Sequence, residues 1–145
     1  MKTSHHSMFF QDWSFFNNTK HIKKVNFKHV LSVQSNLSET NIIINTLSVN
    51  EQNCLIEKTL LCDFEEKVMN ELLSNGKIEN CHIVVYGKNC NDITVEKKCK
   101  QLVNLGVGDV CVYQGGMFEW CLLQDVFGDE MFKTTQKVKD VLSFI

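Results

Sequence analysis

The sequence predicts an α/β domain, a mostly parallel sheet with helices on both faces. Short apolar runs rich in β-branched residues recur at Asn41–Thr46 (NIIINT), Cys81–Tyr86 (CHIVVY) and Asp109–Tyr113 (DVCVY). Stretches with apolar residues at helical spacing lie between them. Single helices linking fully apolar strands imply crossover connections, hence parallel pairing and cover on both sides. At 145 residues, the chain has room for one such domain.

The elements follow in order. Residues 1–20 form an arm of their own, with Met8, Phe9, Phe10, Trp13, Phe15 and Phe16 crowded together without a clear period. This arm is expected to pack on the domain or to meet a partner, and His5 and His6 read as surface residues. The domain proper runs from 21 to 145. It opens with a short strand, Ile22 to Val25. Asn26 can cap a helix from Phe27 to about Gln34, with Phe27, Val30 and Leu31 on one face. After the Asn41–Thr46 strand comes a shorter one, Leu60–Cys62. Asp63 is expected to cap a helix whose stripe is Phe64, Val68, Met69, Leu72 and Leu73. Asn75-Gly76 suits its left-handed C-terminus. Cys81–Tyr86 leads into a polar loop, Gly87–Asp92, and then a helix to about Leu105 that buries Val95, Cys99, Leu102 and Val103 and closes at Gly106. Asp109–Tyr113 is followed by the turn Gln114-Gly115-Gly116, a helix Met117–Asp125, a break at Gly128 and a last short helix Val138–Phe144.

Composition excludes several chemistries. All 15 basic residues are lysine, and there is no arginine, proline or alanine. Planar bidentate capture of phosphate, carboxylate or guanine is arginine chemistry, which lysine replaces only as a point charge. The net charge is -2 and the pI about 6.2, so there is no overall basic footprint for nucleic acid. Lys20–Lys24 and Lys97, Lys98 and Lys100 read as solvated faces. Seven cysteines fall at 54, 62, 81, 90, 99, 111 and 121 without any Cys-x-x-Cys pair. That is neither zinc-finger spacing nor a secreted disulfide pattern, and it points to a reducing, cytoplasmic setting. No apolar run is long enough to span a bilayer, and no signal peptide is visible.

In open parallel sheets, ligands gather at the carboxyl ends of strands. The strongest strand therefore points at Gly87, Lys88, Asn89, Cys90, Asn91 and Asp92, a candidate anion-binding loop that feeds a helix N-terminus. Cys90 is the cysteine plainly outside an apolar run, and a helix N-terminus can activate a thiol. Lys88 would favour a thiolate there and Asp92 would oppose it. Against that stands a plain turn, with Asp92 as N-cap, Gly87 and the asparagines suited to tight geometry and Cys90 as filler. His82 reads as a strand residue, and His21 and His29 lie early in the chain. Asp92, Glu119 and Asp125 read as structural carboxylates rather than metal ligands.

The order of these motifs resembles the rhodanese homology domain, from about residue 21 to the C-terminus. Asn41–Leu47 (NIIINTL) takes the place of a strand that in the family carries an acidic residue and an arginine. Gln52–Leu60 (QNCLIEKTL) is similar to the turn that in the family usually reads Gly-His-Ile before a small pair. The most specific match is Ile83–Tyr86, a six-residue loop, a helix ending Leu105-Gly106, Val110–Tyr113, and Gly115-Gly116 with Trp120 shortly after. In members that transfer sulfur, a cysteine opening the loop holds a persulfide, backbone N–H groups stabilise it, and an arginine commonly closes the cradle. The resemblance places Gly87 at the cysteine position and Asp92 at the closing basic position. It implies a rhodanese-like domain without ordinary sulfurtransferase activity, a binding or regulatory module for a protein partner or a small sulfur-containing ligand. The alternative is a sulfurtransferase or persulfide carrier using the displaced Cys90. Neither reading calls for a cofactor or a metal, a nucleic acid or a membrane.

Overall fold

Asn26 ends the first strand and starts the first helix. Its backbone is extended, and its side-chain oxygen accepts from the N–H groups of Lys28 and His29 at 3.0 and 3.4 Å, satisfying donors that a helix start leaves unpaired. The computed structural model describes residues 22–145, so the aromatic arm 1–20 lies outside the described residues. Strand β1 is Lys23–Val25 and helix α1 is Phe27–Ser35. There follow β2 (Asn41–Asn45), α2 (Cys62–Ser74), β3 (His82–Tyr86), α3 (Thr94–Leu105), β4 (Asp109–Tyr113) and α4 (Gly116–Phe127).

The four strands form one all-parallel sheet in the order β1-β4-β3-β2. Ile43, Ile44, Ile83, Val84 and Val85 are completely buried. Alternate residues of β2, β3 and β4 enter opposite cores. Ile43, Val84, Tyr86, Cys111 and Tyr113 pack with α1 and α4 on one face. Ile42, Ile44, Ile83, Val85 and Val110 pack with α2 and α3 on the other. This two-sided burial explains why the strands read as continuous apolar runs rather than alternating ones. Each fully buried Val or Ile contributes about 1.5–3 kcal/mol relative to exposure.

Four local expectations are corrected. Leu60–Cys62 is not a strand: Leu60 makes a single parallel bridge to Ile44, and Cys62 already begins α2. Leu61, not Asp63, is the N-cap residue of α2, which places the Asp63 carboxylate in the first turn, where the helix dipole favours it. Val138–Phe144 holds only a short 3₁₀ turn, Val141–Phe144, capped by the Asp140 side chain. Phe64 and Leu73 of the α2 stripe are largely exposed, and Met69 and Leu72 alone are fully inside. No helix among the described residues is long and apolar enough to cross a membrane.

Trp120 is fully buried and joins the C-terminal segment to the sheet. Its indole N–H donates to the Lys133 carbonyl at 3.1 Å, and its ring meets Phe132 and Tyr113 edge-on.

Candidate functional site

Helix α3 leaves β3 toward one face of the sheet, and α4 leaves β4 toward the other. A crevice at the carboxyl ends of two such strands is where ligands enter doubly wound sheets. Residues 87–93 lie in it. The loop is held from the α4 side: the N–H groups of Met117 and Phe118 donate to the carbonyls of Gly87 and Lys88, each at 2.9 Å. Gly116 allows that approach. Its φ is +67°, and a Cβ there would lie 2.7 Å from the Gly87 carbonyl oxygen.

One of the loop's own side chains folds back onto it. Asp92 Oδ2 accepts from the Lys88 N–H at 2.8 Å, and Asp92 Oδ1 accepts from the Thr94 N–H at 3.0 Å and the Thr94 hydroxyl at 2.6 Å. Ile93 occupies the formal N-cap position without a side-chain bond, so Asp92 satisfies the start of α3 from one residue further back. Burial works against ionising Asp92, but the Thr94 hydroxyl, the two backbone N–H groups and the nearby Lys88 charge outweigh it and hold the carboxyl below its ordinary range. Residue 87 has no room for a side chain. A Cβ there would lie 2.5 Å from Asp92 Oδ2, 2.5 Å from Val95 Cγ2 and 2.9 Å from Thr46 Oγ1.

Several other loop groups are also committed. The Asn91 N–H donates to Asn89 Oδ1 and the Asp92 N–H to the Asn89 carbonyl. The Asn89 amide reaches out to the Phe144 carbonyl at 2.8 Å, tying the loop to the chain's last residues. The Lys88 ammonium pairs with Glu51 Oε2 at 3.3 Å. Burial opposes ionisation of Glu51, yet the hydroxyl and N–H of Ser48 together with Lys88 keep its carboxyl below the ordinary value. Lys88 thus faces a carboxylate rather than Cys90. Cys90 itself is exposed, as is Cys62. It lies on the rim of two clefts, of about 450 Å³ toward Ile22, Val95 and Val112 and about 720 Å³ toward Leu47, Thr94 and Phe118.

Tyr86, immediately before the loop, is fully buried and anchors the turn of residues 52–60. Its oxygen accepts from the Ile56 N–H at 3.1 Å and lies 2.8 Å from the Thr59 hydroxyl. Because Thr59 donates to the Ile56 carbonyl, the phenol donates to Thr59. Burial pushes the phenol pKa well up. At the end of β2, the buried Asn45 and Gln52 pair through their side-chain amides, a neutral contact beside the loop.

A second group of chemically capable side chains lies at the other end of β3. His82, the first residue of that strand, places Nδ1 2.7 Å from Asp109 Oδ2, its register partner on β4. Its Nε2 faces His29 Nε2 of α1 at 2.8 Å and Cys111 Sγ of β4 at 3.8 Å. Burial, then the neighbouring His82, lowers the His29 pKa, and burial raises the Cys111 thiol to about 12. Sequence spacing gives no sign of this cluster, because its residues come from three separate elements. Glu119, by contrast, accepts a hydrogen bond from the Tyr113 hydroxyl at 2.8 Å, and Asp125 is exposed near the end of α4.

No family model matches the chain, and no curated protein matches it. Among solved structures, the complex of a cysteine-to-serine variant of EanB with hercynine matches at 16% identity and a TM-score of 0.48 over 66% of this chain and 24% of that one. A full-length protein from Lactobacillus plantarum matches at 12% identity and a TM-score of 0.48 over 86% of this chain and 95% of that one. The chain thus spans about a quarter of the EanB chain.

Proposed function

We propose that the chain is a rhodanese-like domain that has given up sulfur transfer and serves as a binding or regulatory module, recognising a protein partner or a small sulfur-containing ligand on the face of loop 87–92. One observation carries the reading. The Asp92 carboxylate takes the N–H of Lys88 and fills the space where a side chain on residue 87 would stand. In the enzymes this domain resembles, the loop's N–H groups stabilise a persulfide on the cysteine that opens the loop. Here the Asp92 carboxylate already takes the Lys88 N–H at the start of the loop, with a fixed negative charge that repels a persulfide or thiolate. The rim, with Cys90 and Asn91 exposed and Lys88 and Asn89 half-buried, and the two flanking clefts remain as a contact surface.

Cys90 supplies the rival reading, a persulfide carrier, because it is exposed within the loop. The donors nearest in sequence do not favour it: the Asn91 and Asp92 N–H groups are both bonded to Asn89. Sulfur loading separates the two. After incubation with thiosulfate, intact-mass analysis and peptide mapping are expected to show Cys90 as an unmodified thiol. A persulfide mapped to Cys90 would replace the binding-module reading with the carrier.

A further inference from the structure

We infer that His29, His82 and Cys111 form a binding site for a zinc ion, with Asp109 orienting His82 and a fourth coordination position left open. The three donor atoms lie within 4.8 Å of one another, on α1, β3 and β4. Their separations suit the ion. With Zn–N of about 2.0–2.1 Å and Zn–S of about 2.3 Å, a tetrahedral site has an N···N edge of about 3.3 Å and an N···S edge of about 3.6 Å. The two imidazole nitrogens are 2.8 Å apart, the sulfur is 3.8 Å from His82 Nε2, and the His29 and Cys111 donors lie within 4.8 Å of each other, so side-chain shifts of up to about 1 Å complete the geometry.

The surroundings prepare the same atoms. A carboxylate only accepts, so in the neutral ring Asp109 fixes the His82 proton on Nδ1 and leaves the Nε2 lone pair facing the other two donors. A carboxylate behind a ligating histidine is the usual outer shell of a zinc site. Since His82 Nε2 accepts, His29 Nε2 must donate in the hydrogen bond between them. Zinc would take the place of that shared proton, which moves to His29 Nδ1, and one proton would leave Cys111 for solvent as the Zn–S bond forms. Two imidazoles and a thiolate suit zinc and exclude the all-oxygen preference of magnesium or calcium. His29 and His82 are only partly buried, so solvent or a ligand can reach the open position. None of this depends on the reading of loop 87–92.

The test is a Co2+ titration of the full-length, metal-stripped chain in a His5→Ala/His6→Ala background, which removes the imidazoles of the N-terminal arm. Expected are the visible absorption of tetrahedral Co2+ and a near-ultraviolet sulfur-to-metal band, both erased when Zn2+ displaces the probe. Cys111→Ser should abolish the sulfur band, while Cys90→Ser and Cys62→Ser should retain it. Asp109→Asn should weaken binding by about 10–100-fold. Should Cys111→Ser fail to fold by circular dichroism, the partly exposed His29→Gln provides the same comparison, with loss of the tetrahedral spectrum expected. The inference is overturned by absence of the sulfur band, by its survival in folded Cys111→Ser or His29→Gln, or by failure of Zn2+ to displace Co2+.

Discussion

Gly87 and Asp92 share one volume. The carboxylate oxygen that accepts the Lys88 N–H stands 2.5 Å from the point where residue 87 would carry its Cβ. The glycine that ends β3 and the acid that precedes α3 are therefore a coupled pair, and either one constrains the other.

Gly87→Ala should destabilise the fold by roughly 1–3 kcal/mol, the cost of forcing atoms into a filled site. In an Asp92→Ala background the penalty should shrink but not vanish, because Val95 Cγ2 is equally close. A urea double-mutant cycle should give a coupling above about 0.5 kcal/mol. Strict additivity would show that the two residues do not compete for space.

Asp92 also makes the loop acid-sensitive. Its folded carboxyl titrates below its unfolded value, despite the cost of burial, because Thr94 and Lys88 bond to the charged form. The stabilisation is therefore fully present above the ordinary carboxylate range and is lost as pH falls through the folded value. Hydrogen exchange at the Lys88 and Thr94 amides should accelerate in that acid window relative to the chain as a whole. Asp92→Asn should remove the pH dependence at those two amides, and an unchanged profile would count against the assigned bonds.

Tyr86→Phe should cost about 1–3 kcal/mol by leaving the buried Ile56 N–H without its acceptor. The loss should appear in thermal or urea unfolding and exceed that of Thr59→Ser, which keeps a hydroxyl. Equal stability of Tyr86→Phe and the parent would mean that the turn of residues 52–60 is not pinned through the phenol.

Cys90→Ser should leave stability within about 0.5 kcal/mol of the parent, as expected for an exposed position without a buried partner. Alkylation at neutral pH should label Cys90 no faster than a cysteine in an unstructured peptide. Rapid, selective labelling would favour the carrier reading.

The elements were legible where burial is two-sided or where a cap is explicit. NIIIN, HIVVY and DVCVY declare themselves as interior strands, and Asn26, Gly106 and Gly128 bound their helices as their chemistry suggests. Leu60–Cys62 misled because an apolar triplet also serves as a helix entry, with only one residue bridging the sheet. The loop is legible from its place after the strongest strand. Its internal geometry is not, since nothing in GKNCND states that the Asp92 carboxylate turns back onto Lys88 rather than acting as a simple N-cap. The cluster of His29, His82 and Cys111 was invisible for a different reason. The register His82↔Asp109 and the packing of α1 against β3 and β4 create it, and neither is written in local spacing.

The central claim, that the Asp92 carboxylate stands in the loop where a persulfide would be held, is tested most directly by steady-state turnover of thiosulfate with cyanide. The parent chain and Cys90→Ser are predicted to be equally inactive, both at the uncatalysed rate. Turnover by the parent that disappears in Cys90→Ser would contradict the account.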